Sequence, residues 1–152
     1  FDFELNYRAG DGIDRLRVGT PPILGLVALD AALDVWDRVD IADVRARSIE
    51  LSEAFVEEVS AGCPALKLAS PSDPHARGSQ VSYHFEQGYA AMQAMIDRKI
   101  IGDFRAPDLM RFGFTPLYID VDQVRAAART LCDVINLNLW DDPKYKTRQK
   151  VT

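Results

Sequence analysis

Arg111 is the lone charge in Leu109-Met110-Arg111-Phe112-Gly113-Phe114, a run otherwise composed for burial. The run reads as a short strand. With a side-chain period of two, Arg111 shares its face with Leu109 and Gly113, and the glycine leaves room beside the guanidinium. A planar, permanently charged fork on a rigid element suits bidentate capture of a small carboxylate. A charge in such a segment needs an anion, and the residues leave two sources open: a carboxylate ligand, or an internal ion pair with Asp103 or Asp108. Arg105, just ahead of Pro107, is placed to support the loop that presents Arg111.

A second candidate anion site is Gly19-Thr20-Pro21, read as a helix start. Thr can cap the first N–H groups, and Pro is tolerated where no donor is needed. A helix N-terminus with a hydroxyl beside it can hold a phosphate, although most Thr-Pro starts are plain caps. Arg77-Gly78 reads as a turn ahead of a strand, with Arg77 either solvated, ion-paired or touching a ligand. His75 and His84 are too isolated for a metal site, and no Ser or Cys has a nearby base in sequence to make it a nucleophile, so no metal is expected.

The 152 residues, 47% apolar and 27% charged, suffice for a proper core in one globular domain, or one domain and a piece of another. A net charge of −5 without a Lys/Arg cluster argues against nucleic-acid binding. The longest apolar run, Pro21 to Leu29, is too short to span a membrane, and the start lacks a secretory pattern, so a cytoplasmic protein is expected. Cys63 and Cys132 have neither metal-ligand spacing nor disulfide density and read as reduced thiols. The chain opens on Phe1-Asp2-Phe3, inside an apolar-polar alternation and without an initiator Met. This suggests a fragment.

The elements that position these residues follow from periodicity. Phe1 to Tyr7 alternates as a strand, Arg8 to Gly12 is a turn, and Ile13 to Val18 reads as extended. A helix from Thr20 to about Arg38 is apolar on most sides, which predicts burial against another subunit or a larger domain. Asp40 caps a second helix whose Ile41, Val44, Ser48, Leu51, Phe55 and Val59 fall on one face, with Gly62 as its stop. Strands follow at Leu66 to Ala69 and around Val81, Tyr83 and Phe85, the latter with one packed and one wet face. A short helix over Tyr89 to Arg98 turns Met92, Met95 and Ile96 inward and leads to the strand pair of Arg111. Asp120, with Gln123 three residues on, starts the last helix, and Asp141 to Thr152 reads as a loose tail rooted by Trp140. From Asp40 onward the order predicts a small α+β domain, a mostly antiparallel sheet covered by helices on one face.

Three ordered strings, Gly19-Thr20-Pro21-Pro22-Ile23-Leu24, Arg77-Gly78-Ser79-Gln80-Val81-Ser82, and Ile101-Gly102-Asp103-Phe104-Arg105 through Arg111 to Pro116-Leu117-Tyr118, resemble the C-terminal portion of kynureninase. That family comprises pyridoxal 5'-phosphate (PLP) hydrolases of fold type I in the aminotransferase class V superfamily. The resemblance implies an α/β PLP-transferase fold, with residues 1–38 ending the large PLP-binding domain and residues 39–152 forming the small C-terminal domain. It implies a homodimer with the PLP site shared across the interface, Thr20 reaching the PLP phosphate, and Arg111 holding the α-carboxylate of kynurenine or 3-hydroxykynurenine. Arg105 and Arg77 are then supporting residues. The products would be anthranilate or 3-hydroxyanthranilate and L-alanine, in tryptophan catabolism and NAD biosynthesis. None of the five lysines lies in the family's Schiff-base context, so no catalytic residue is expected here and the chain alone should be inactive. Alternatives are another class V PLP enzyme, a cysteine desulfurase or aminotransferase, and a non-catalytic amino-acid-binding α+β module.

Overall fold

Two stretches behave differently in the computed structural model, which describes residues 5–17 and 19–147. One unit is Phe1–Asp40 and the other Ile41–Thr152.

In the first unit the expected strand over Phe1 to Tyr7 lies partly outside the described residues, and Leu5 to Tyr7 are not in a strand. The expected extended piece at Ile13 is instead a 3-10 turn, Gly12–Leu16, begun by Gly12 at φ 54°. Its isolated alternation finds no strand to pair with among the described residues, and a lone strand is unstable in water. Helix α1 spans Ile23–Leu33 with Pro22 as its N-cap and no side-chain cap bond, so Thr20 is not the cap. The reason lies in Pro21-Pro22: a residue before proline is driven out of the helical region, so the helix cannot begin until Pro22 has passed. After Leu33 the chain tightens into a 3-10 turn, Trp36–Arg38. No α1 residue is buried within its unit, and Leu24 is 87% exposed; the burial that the composition predicts is against another subunit or a larger domain.

The second unit is built on α2, Ile41–Gly62, which buries Ser48, Leu51, Phe55 and Val59 as its periodicity requires. Four strands follow: β1 Lys67–Leu68, β2 Gln80–His84, β3 Asp103–Arg105 and β4 Leu109–Gly113. They pair antiparallel throughout, in the order β1-β2-β4-β3. Helix α3, Gly88–Asp97, lies between β2 and β3 in sequence, and α4, Val121–Asn136, packs along α2. Val81, Tyr83, Met110 and Phe112 point from one sheet face into the core, where the Phe55 ring lies 4.9 Å from Phe112 and 5.2 Å from Phe114. Each such large side chain contributes about 1.5–3 kcal/mol on burial.

Two local expectations need correction. Ser82, assigned to the wet face of β2, is buried, because the Ser70 hydroxyl caps its N–H at 2.9 Å and folds the preceding loop over it. The described part of the tail is structured: α5, Pro143–Lys146, is capped by Asp142, and Tyr145 is buried with its hydroxyl donating to Asp97 at 2.9 Å. Trp140 does root this segment, edge-on to Phe85 at 5.6 Å.

Candidate functional site

The register of β3, β4 and β2 sets the candidate site. Asp103 stands directly opposite Arg111 on one side and Ser82 on the other, so the three form a row across the sheet face opposite the core. Gly102 permits this approach. A Cβ there would sit 2.9 Å from the Arg111 carbonyl oxygen and 2.8 Å from the Met92 side chain. Gly113, two residues past Arg111 on the same face, is the opposite case, since a Cβ there would meet nothing within 4 Å. The room that the sequence implied at Gly113 is present.

Arg111 has an internal partner. Its Nε donates to Asp103 Oδ2 at 2.7 Å, and its Nη2 pairs with the same oxygen. Asp108, the other candidate carboxylate, is engaged instead by His84, whose Nδ1 lies 3.1 Å from Asp108 Oδ2. Arg105 Nε also donates to Asp103 Oδ2, at 3.0 Å, so one carboxylate bridges two guanidinium groups and the cluster keeps one positive charge in excess. Partial desolvation pushes the Asp103 carboxyl up, but the bond and charge of Arg111, joined by those of Arg105, outweigh it and hold it below the ordinary carboxylate value. Asp103 is therefore ionised near neutral pH. The side chain of Arg111 remains 29% exposed, open to a ligand from the solvent side.

The sequence named Asp103 as a possible partner but missed its bridging position. The signal was there in outline, since Asp103 and Arg105 are two apart on a strand and so share a face.

Arg77 belongs elsewhere. Its side chain is 2% exposed, ion-paired with Glu53 of α2, and donates to the carbonyls of Pro71 at 2.9 Å and Ser72 at 3.0 Å. These bonds tie the loop before β2 to α2. Thr20 is exposed and lies in the first unit, whereas Arg77, Arg105 and Arg111 all lie in the second. Among the described residues no group of three or more His, Cys, Asp or Glu is placed to hold a metal ion. Burial pushes both thiols up, Cys132 to about 11, which leaves neither poised as a nucleophile.

Residues 44–131 match a protein family described as the kynureninase C-terminal domain. The chain belongs to this family. It is 40% identical over its whole length to proteins named kynureninase from Pseudomonas fluorescens, Burkholderia mallei (strain SAVP1) and Burkholderia pseudomallei (strain K96243). It spans 37% of the length of these curated relatives. As a kynureninase C-terminal domain, the second unit is a small α+β fold whose four-stranded sheet carries its polar cluster on the face away from the helices.

Proposed function

We propose that this chain is the C-terminal part of a kynureninase, which hydrolyses L-kynurenine or 3-hydroxykynurenine to anthranilate or 3-hydroxyanthranilate and L-alanine. In this reading residues 1–38 close the large domain of a type I PLP fold and residues 39–152 are the small domain, in a cytoplasmic homodimer of tryptophan catabolism that feeds NAD biosynthesis. The observation that carries the proposal is Arg111: a guanidinium on a central strand, fixed along one edge, exposed beyond it, and part of a cluster with surplus positive charge. Such a group binds and orients an amino acid by its α-carboxylate. The similarity to kynureninases supports this reading over a cysteine desulfurase, an aminotransferase or a non-catalytic module.

The residues present fit one edge of PLP. Thr20, free of any capping bond to α1, offers an exposed hydroxyl three residues ahead of a helix whose first N–H groups have no intrahelical acceptor. In the assembled enzyme this hydroxyl would help hold the PLP phosphate. Lys144 and Lys146 are ion-paired with Asp97 and Asp141 in the second unit, and the cofactor's lysine belongs to the rest of the enzyme. When bound, PLP supplies the electron sink that carbon–carbon cleavage needs. Arg111 holds the substrate's carboxylate, and Arg105 supports it through Asp103.

The test is Arg111→Ala in the full-length enzyme. Loss of one partner of a hydrogen-bonded charge pair costs roughly 2–5 kcal/mol, and partial exposure places this one near the lower end. The expected drop in kcat/KM for kynurenine is about 30- to 200-fold. Stability should change little, since the half-exposed pair with Asp103 is worth about 0–1 kcal/mol. A variant that melts far earlier yet keeps normal kcat/KM at low temperature would reject the assignment.

A further inference from the structure

We infer that Asp103 is a positioning residue for carboxylate recognition, one that occupies the Nε edge of Arg111 and turns the remaining Nη1 corner toward the ligand. The inference rests on the proposed role of Arg111 and adds how that role is achieved.

A free arginine side chain samples many rotamers, so a guanidinium becomes a good receptor only when another group fixes its plane. Asp103 is built to do this. It occupies the β3 position paired with Arg111, so its carboxylate reaches the guanidinium from the neighbouring strand. Its Oδ2 accepts from both Nε and Nη2, a chelate that sets the plane as well as the position. Arg105 grips the same oxygen at 3.0 Å, which fixes the carboxylate in turn. Gly102 sets the spacing between the strands, because any side chain there would collide with the Arg111 carbonyl. Two residues along β4 on the same face, Gly113 leaves open space. The described bonds of Arg111 use Nε and Nη2, so Nη1 is the corner that remains for a second carboxylate.

The opposite role would be that of a plug, with Asp103 filling the anion site until substrate displaces it. The two roles predict opposite signs. For a plug, removing the acceptor tightens ligand binding. For a positioning residue, removing it weakens binding, and a neutral side chain that keeps an acceptor restores it.

The experiment measures KM for kynurenine and competitive inhibition by L-alanine, which carries the same α-carboxylate, in full-length Asp103→Ala, Asp103→Asn and Arg111→Ala enzymes. For Asp103→Ala we expect KM and the alanine inhibition constant to rise together by about 3- to 15-fold, the cost of one loosened side chain, with kcat nearly unchanged. Asp103→Asn keeps an acceptor for Nε and should stay within about threefold of wild type. Asp103→Leu, of similar size without an acceptor, replaces the alanine variant if that one does not fold, with the same expected rise. Tighter alanine binding in either acceptor-free variant, or wild-type constants in it, would overturn the inference. So would an asparagine variant as weak as the alanine one. Arg111→Ala separates the levels: unchanged constants there reject the proposed function, whereas a large rise there with no effect at Asp103 rejects the positioning role alone.

Discussion

Arg77 and Arg111 are the same residue type in opposite settings, and burial and partners set them apart. Arg77 is 2% exposed, with both terminal nitrogens engaged by Glu53, two loop carbonyls and the more distant Ser52 hydroxyl, and its remaining donor, Nε, is buried away from solvent. Arg111 keeps nearly a third of its side chain in contact with solvent and satisfies only one edge. Arg77→Ala should therefore destabilise the domain by about 1–3 kcal/mol, because it removes a buried side chain together with the charged donors that tie Glu53 and the two loop carbonyls. Urea unfolding of this chain checks it, and a loss below that of Arg111→Ala would refute the structural role. Arg111 stands out in the sequence because it is a single charge in an apolar strand. Arg77 does not, since its carboxylate partner lies on α2, two dozen residues away, and nothing local distinguishes a buried turn arginine from a solvated one.

Among the elements, three X-Pro starts explain what was legible and what was not. Asp73-Pro74 and Asp142-Pro143 each open a short helix, with the Asp side chain accepting from the N–H two residues on, at 2.8 and 2.9 Å. Thr20-Pro21 looks equivalent but is followed by Pro22, which holds Pro21 extended and moves the start to Ile23. The α5 signal was thus present in a tail that looked only polar, and the cap at Thr20 was read one proline too early. Helix α4 was fully legible, because Asp120 and Gln123 form a reciprocal capping box that needs no tertiary partner. The β3–β4 pair depends on a glycine whose necessity is tertiary. Gly102→Ala should cost about 1–3 kcal/mol through overpacking against Met92 and the Arg111 carbonyl, whereas Gly113→Ala meets open space and should cost far less. Equal shifts in the urea midpoint for the two would show that the close approach at Gly102 is not what requires glycine.

At the scale of the whole second unit, ionised carboxylates join the elements from outside while the thiols and a phenol sit inside. Glu58 ties α2 to Arg125 and Arg129 of α4, Asp97 ties α3 to Lys144 and Tyr145 of α5, and Asp103 ties β3 to Arg111 of β4. All three carboxyls are held below their ordinary values: Glu58 chiefly by its bond from Arg125, Asp97 by that from Tyr145, and Asp103 by its arginines against an opposing desolvation. Lowered folded values mean that the stabilisation is present above the unfolded carboxyl pKa, about 4, and is lost as pH falls through the folded values. In the core, burial pushes Cys63, Cys132 and Tyr83 up, Cys132 to about 11. Raised folded values act in the other direction. Their contribution is complete below the unfolded thiol value, about 8.5, and drains away as pH rises toward the folded one, with Tyr83 adding its loss above about pH 10. The urea midpoint of this chain should therefore form a plateau between about pH 5 and 8, falling on both sides. Cys63→Ala/Cys132→Ala should flatten the alkaline fall between about pH 8.5 and 10 while leaving the acid limb in place. An alkaline limb unchanged by removing both thiols would show that their burial does not set it.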